Sequence, residues 1–326
     1  MKKNLNYIKL MICFCIALMS INIMACKKDD NNAPVQGTTS LNDLIKQDAS
    51  LSVFAAILKK THLDVYTTGL GPFTVFAPTN NAYKQVGINS VDDLVNYDST
   101  YLLARTSFLI AAGVKSSSNL VGLNVPITTI ANTTLAASAL PDSTYFNGLS
   151  AFKRDISASN GMLHVMNNYL LPNANNTSQM LLLFPDTYKL FSQAIARASS
   201  GATIVNATTT TLFAPTNAAM IAAGLDSLKI TQTTAANLAN IVKYHVLSTK
   251  YYVFALKTGD MKTAQGKNVT LNIGKTVSTV RGLNNSAPAN FTNFYLTPYI
   301  PFATFSSVNL STLNGVIHTI DKVLAP

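Results

Sequence analysis

The sequence predicts an α+β protein built as two tandem copies of one mixed helix-and-strand domain. Three correspondences carry this reading. The phrase Phe73-Thr-Val-Phe-Ala-Pro-Thr-Asn80 returns as Thr210-Thr-Leu-Phe-Ala-Pro-Thr-Asn217. The phrase Asn160-Gly-Met-Leu-His164, which runs on to Pro172, returns as Asn314-Gly-Val-Ile-His318, which runs on to Pro326. Between them, Phe108-Leu109 and Leu120 match Tyr244-His245 and Leu256. The two copies are offset by 137 residues at the first phrase, 136 at the middle pair and 154 at the last. The second copy therefore carries about 18 extra residues between Leu256 and Asn314.

Within each copy the elements follow from local chemistry. Leu41, Leu44 and Ile45, then Val53, Phe54, Ile57 and Leu58, recur at helical spacing behind the caps Ser40 and Ser50, predicting amphipathic helices ahead of the first phrase. That phrase is a β-prone run broken at a Pro. Its Thr and Asn then offer side-chain oxygens to the free N–H groups of a following helix. Asp92 and Asp93 fall in a first helical turn, where acids complement the dipole, and read as helix dressing rather than as a catalytic pair. In the last phrase Asn-Gly predicts a hairpin turn, and the alternating apolar positions after it predict a half-buried strand. A short polar link, Asn173 to Ser178, implies two domains that touch.

The FAPTN phrase, the Tyr-His pair some thirty residues on and the terminal NGxxHxxxxxLxP pattern, in order and twice over, resemble the fasciclin (FAS1) domain. The resemblance covers residues 38–172 and 176–326, with the second copy's insertion around 257–313. It implies a compact β-wedge of about seven strands with several short helices in each domain. It also implies adhesion: a protein that presents its domains to a protein or glycan ligand. In the family the Tyr-His pair is linked to core integrity and, in some animal members, to cell-receptor binding. This makes Tyr244 and His245 candidate ligand contacts; the first domain has Phe108-Leu109 instead.

The N-terminal residues suggest export. Lys2, Lys3 and Lys9 precede an uncharged apolar run from Leu10 to Ala25, shorter than the roughly 20 residues of a membrane span and suited to a secretory signal. Ile23-Met-Ala-Cys26 looks like a bacterial lipobox, giving a signal peptide over 1–25, lipidation at Cys26 and a flexible tether over 26–37. Lys27 after that Cys favours the outer membrane, facing the periplasm or the cell surface. All three cysteines (13, 15 and 26) lie in this segment, so no intramolecular disulfide survives cleavage.

Composition narrows the partners. There is no Glu, and the first domain balances 8 Lys and Arg against 8 Asp, whereas the second has 11 against 4. Seven cations fall between Lys243 and Arg281, opposed by Asp260 alone; Lys250 and Lys257 are the candidate contacts for an anionic polysaccharide. No nucleic-acid recognition motif is present, and no nucleic acid, metal or cofactor is expected. His164 and His318, at matching positions inside strands, read as structural. The nucleophile elbow, P-loop and dinucleotide fingerprint are absent, which disfavours an enzyme. Phe291, Phe294, Tyr295, Tyr299, Phe302 and Phe305 crowd the insertion, where Pro298 and Pro301 favour an edge or loop, making Tyr299 and Phe302 further candidates. Two rivals to adhesion remain: an accessory module of an envelope assembly such as nutrient uptake, and a hydrolase joining His245 or His318 to an Asp and a Ser.

Overall fold

A computed structural model describes residues 37–172, 174–274, 277–292 and 309–326. The first domain opens with helices α1 (Leu41–Gln47), α2 (Ser52–Lys60) and α3 (Val65–Thr68), which lead into strand β1 (Phe73–Pro78). Helices α4 (Asn80–Lys84) and α5 (Ser99–Ser107) follow. Six strands complete the domain: β2 (Ile110–Ala112), β3 (Gly122–Thr128), β4 (Thr134–Leu140), β5 (Ser143–Phe146), β6 (Leu149–Ala158) and β7 (Gly161–Met166). The seven form one sheet in the order β2-β1-β7-β6-β5-β4-β3. Its two edges approach each other through an Ala111–Thr129 bridge and the Ile130 N–H to Ile110 carbonyl bond, so the sheet nearly closes into a barrel.

The second domain repeats this plan. Helices α6 (Thr177–Leu182), α7 (Pro185–Arg197) and α8 (Gly201–Val205) precede β8 (Thr210–Pro215), and α9 (Asn217–Ala222), α10 (Ser227–Gln232) and α11 (Ala235–Tyr244) follow it. Strands β14 (Leu310–Ser311), β15 (Gly315–Ile320), β8 and β9 (Val246–Leu247) form one sheet. Strands β10 (Gly259–Lys262), β11 (Asn268–Ile273), β12 (Ser278–Gly282) and β13 (Ala289–Asn290) form the other. A Phe291–Ile320 bridge and an Ala264 N–H to Val246 carbonyl bond join the two, reproducing the near-barrel.

The last strand of each domain departs from the half-buried expectation. Strand β7 pairs with β1, and β15 with β8, in parallel, with His164 opposite Phe76 and His318 opposite Phe213. Both last strands are buried at every residue. A parallel pair covered on both faces reads as a continuous apolar run, because one face meets the helices and the other the barrel interior. In the second domain Leu212 and Ala214 of β8 join Phe191, Leu238 and Val242 beneath the helices. Phe213 between them points the other way, to Tyr244, Leu271, Val280 and Ile320. Full burial of each such Leu or Phe contributes about 1.5–3 kcal/mol.

The hairpin before that strand does not use Asn-Gly as its central pair. Ala158 pairs with Gly161, leaving Ser159 and Asn160 as the turn. The glycine serves close approach instead: a Cβ at Gly161 would lie 1.9 Å from the Phe73 carbonyl oxygen, and one at Gly315 2.5 Å from that of Thr210.

The strand-to-helix phrase also divides its labour differently. Thr79 and Thr216 cap the following helices, accepting from the N–H groups of Ala82 and Ala219. Asn80 and Asn217 turn back to the preceding helices. Asn217 accepts from the Leu190 N–H (2.9 Å) and donates to the Pro185 and Asp186 carbonyls (both 2.9 Å). Asn80 does the same for the Val53 N–H and the Ala49 carbonyl. In each domain one side-chain amide thus stands in for an i to i−4 backbone bond. Ser40 caps α1 as expected, but at the next turn Asp48, not Ser50, is the cap.

Most of the extra residues of the second domain fall at one point of the strand that matches β6. In the first domain the register shifts on either side of the Lys153–Val165 pair, between the Ala151–Met166 and Ile156–Leu163 pairs, with Asp155 at φ 58°. The matching pairs in the second are Phe291–Ile320 and Leu310–Ile317, with residues 292–309 between them. The insertion therefore grows from a bulge. Phe291 is buried and stacks on His318, 5.3 Å between centroids; Phe294, Tyr295, Tyr299, Phe302 and Phe305 lie outside the described residues.

Substituting Asn217→Ala opens the Leu190 N–H and two carbonyls at once and is expected to lower stability by about 1–3 kcal/mol in urea denaturation. A loss within the error of the measurement would show that the amide does not hold the helix.

Candidate functional site

The segment that follows β9 is held by a device present in both domains. Thr211 donates through Oγ1 to the Thr249 carbonyl (2.6 Å) and accepts the Tyr251 N–H (2.8 Å). His318, buried in β15, meets the Tyr251 carbonyl through Nε2 at 2.8 Å. Thr74, Lys115 and His164 repeat the arrangement in the first domain. There His164 Nδ1 accepts the Asp155 N–H at 3.2 Å, so Nε2 carries the proton and the ring is neutral. Burial lowers its proton affinity further. Both histidines are structural.

In the second domain this device aims residues 250–254 at the first domain. Phe254 stacks on Tyr145 with centroids 3.7 Å apart and planes 11° from parallel. Asn124 donates to the Lys250 carbonyl at 2.8 Å. Tyr252 lies over Gly148, where a Cβ would sit 2.2 Å from the ring, and shares a hydrogen bond with Ser311. The Lys250 ammonium rests 5.2 Å from the Tyr252 ring centroid, and burial lowers its pKa to about 8. Lys250 is thus a junction residue, half-buried between domains. Motif reasoning on the sequence missed Tyr145, Gly148 and Phe254; the aromatic run from Tyr251 to Phe254 was the available signal.

Tyr244 and His245 are corrected from contact candidates to core residues, since both have 0% exposure. Tyr244 donates to the Asn268 carbonyl at 2.6 Å and accepts the Leu283 N–H at 2.8 Å, tying helix α11 to the β10–β13 sheet. His245 donates through Nδ1 to the Ile241 carbonyl and accepts the Leu324 N–H at Nε2, both at 2.9 Å. A side chain with no accessible surface touches no ligand in this conformation.

Lys257 is exposed, as are Lys262, Lys267 and Arg281. Val269, Leu271 and Val280 face the core, so the alternate residues of β10–β12 face outward, with Asp260, Thr270 and Arg281 side by side in register. Thr270 donates to Asp260 at 2.7 Å. Among the described residues none of these four cations forms an ion pair. Tyr299 and Phe302 lie outside the described residues.

Among the described residues no hydrolytic relay is assembled at His164, His245 or His318. His245 and His318 are enclosed and bonded to backbone. At His164 the neighbouring Asp155 carboxylate accepts from the Ser117 N–H and hydroxyl, and the imidazole bonds the Asp155 N–H and the Lys115 carbonyl. Among the described residues no three His, Cys, Asp or Glu side chains group as a metal site would need, and no helix is long and apolar enough to cross a membrane.

Two near-closed wedges in tandem, of seven strands in the first domain and eight in the second, each covered by short helices, define the class. The Fasciclin domain family matches residues 49–172 and 186–326, and the chain belongs to that family. It is 23% identical over 261 residues to transforming growth factor-beta-induced protein ig-h3 of Oryctolagus cuniculus, covering 79% of this chain and 35% of that protein. It is 28% identical over 137 residues to human periostin, covering 41% of this chain and 16% of that one. The chain thus spans only a minor part of these relatives. A solved structure titled as a FAS1 domain pair from the insect cell adhesion molecule Fasciclin I matches over 87% of this chain and 96% of that one, at 16% identity and TM-score 0.38.

The pH dependence of His245 follows from its burial. Desolvation lowers its pKa to about 4, below the roughly 6.5 of an unfolded histidine, so the unfolded chain binds the proton more readily. Its contribution is complete above pH 6.5 and is lost as pH falls from there toward 4. A His245→Asn variant is expected to be less stable than wild type at pH 7, with the gap in urea midpoint narrowing by pH 4.5. A gap independent of pH would contradict the assignment.

Proposed function

We propose that this protein is an envelope-anchored binding protein that acts in adhesion. A lipid at Cys26 supplies the attachment, the first domain acts as a spacer, and the second presents the contact surface to a protein or glycan. The observation that carries the reading is the outward face of β10–β12. There Lys262 and Arg281 stand exposed with Asp260 as the only carboxylate in those strands, and Lys257 and Lys267 flank them. Exposed cations on the polar face of a sheet attract an acidic polymer through many weak contacts, with an affinity that falls as salt rises. An acidic polysaccharide is the ligand class that suits this face.

Family membership supports an interaction module, and the tight junction at Tyr145 and Phe254 supports a spacer that holds the contact domain at a set angle. The lipobox at Cys26 supports attachment to the outer membrane. The buried, backbone-bonded histidines support binding without catalysis.

The test is capture of the mature chain, residues 26–326, by an immobilised acidic polysaccharide such as alginate. The triple variant Lys257→Asp, Lys262→Asp and Arg281→Asp is expected to bind at least about tenfold more weakly, with a shallower salt dependence and unchanged melting. Tyr299→Ala with Phe302→Ala is expected to weaken capture without lowering thermal stability. Binding indifferent to the charge reversal would remove the basic face from the account, and early melting of the aromatic variant would place those rings in the core.

A further inference from the structure

The first domain carries an apolar tip beside the point where the chain comes in from its N-terminal segment. Residues 67–71 form a tight loop held from below by Asn160, whose side-chain amide donates to the Thr67 and Gly69 carbonyls at 2.9 and 2.8 Å. At the end of this loop Leu70 is 99% exposed, and Val65 on α3 is 57% exposed. The same Asn160 accepts the Leu41 N–H, and the adjoining Ser159 N–H bonds the Thr39 carbonyl. The loop and the first described residues of the chain therefore meet at one asparagine.

The second domain has the same pinned loop without the apolar residue. Asn314 donates to the Val205 and Ala207 carbonyls at 3.0 and 2.9 Å. The residue after the second pinned carbonyl is Leu70 in the first domain and Thr208 in the second. Of the two pinned loops, the one that adjoins the tether is the one tipped by a leucine with almost no cover.

We propose that the Leu70 tip is a membrane-resting contact. It seats in the headgroup and upper acyl region of the bilayer to which the chain is anchored, so that the first domain stands on the membrane by this end. The inference rests on the reading that Cys26 carries the lipid. Ten residues, 27–36, separate Cys26 from Gly37. They reach roughly 35 Å when extended and about 18 Å as a coil. A tip confined so close to the bilayer experiences a local concentration in the millimolar range, at which a contact too weak to recruit a free protein is still populated. Lys46 and Lys59 border the adjoining hollow between α1, α2 and α3, but Asp64 lines it too. The contact is thus led by apolar burial, and it should persist at high salt.

The sequence has no Trp, and Cys26 is the one cysteine of the mature chain. Leu70→Trp therefore reports on the tip alone, and Thr208→Trp on the equivalent loop of the second domain. Each variant of residues 26–326 is coupled through Cys26 to maleimide-bearing lipid in vesicles of phosphatidylethanolamine and phosphatidylglycerol. The indole of the Leu70→Trp variant is expected to be quenched by brominated acyl chains about twofold more than that of the Thr208→Trp variant, at low and high salt alike, with emission shifted to the blue. Equal quenching of the two overturns the proposal. So does a blue shift of the Leu70→Trp variant in its uncoupled form that grows with protein concentration, which would mark a contact between copies. Chemical coupling makes these outcomes independent of natural acylation, which the mass of the N-terminal peptide from cells reports separately.

Discussion

Each domain depends on one asparagine amide, Asn160 in the first, where it is buried, and Asn314 in the second, where it is half-buried. The side chain of Asn160 accepts the Leu41 N–H at the start of the first helix and donates to two carbonyls of the loop before β1; its own backbone carbonyl accepts the Phe73 N–H that begins β1. Asn314 makes the same set with Thr177, Val205, Ala207 and Thr210. Three chain segments distant in sequence, the first helix, the loop leading into the first strand and the turn before the last strand, are brought together by one residue. Removing it strands a buried donor and buried acceptors, each worth about 1–3 kcal/mol. The glycine that follows lets the last strand lie against the first, and their parallel pairing puts His164 level with Phe76 and His318 level with Phe213. From there the imidazole fixes the segment after β2 or β9. In the second domain that segment reaches the first, so the amide, the central strand pair and the domain junction form one chain of cause.

The two copies share this scaffold and differ where it leaves room. Strand β6 is bulged at residues 152–155, with Phe152 exposed on it, and the second domain extends the same point into its insertion. A bulge already shifts the ladder and leaves residues unpaired, which makes it a natural place for added residues. The charge excess also belongs to the second domain, where Lys262 and Arg281 take outward positions of β10–β12 that the core does not need. The first domain instead keeps a balanced charge, a leucine tip beside the tether and the aromatic face at Tyr145 that receives Phe254.

The repeat was legible in the sequence because its markers are rigid requirements: Thr79 and Thr216 cap helices, and Gly161 and Gly315 admit no side chain. The helices were legible from their apolar spacing. The roles of Asn80 and Asn217 were not, because an asparagine beside a helix start reads as a local cap, and its true partners lie 27 residues upstream in both copies. The last strand was misread as half-buried because parallel pairing is a long-range fact that alternation in six residues cannot signal. The resemblance was sound for Tyr244 and His245 as a landmark, but sequence carries no direct record of exposure. Lys250 looked like one member of a basic run; only the fold reveals that its carbonyl and its stem are taken up at the domain junction.

Hydrogen exchange at two backbone amides in one molecule tests the role of the buried asparagine most directly. In the wild-type chain the N–H groups of Leu41 and Thr177 should both be protected. In an Asn160→Ala variant, exchange at Leu41 should accelerate by at least about tenfold while Thr177, held by Asn314, keeps its protection. Unchanged protection at Leu41 would contradict the claim that this amide fastens the domain.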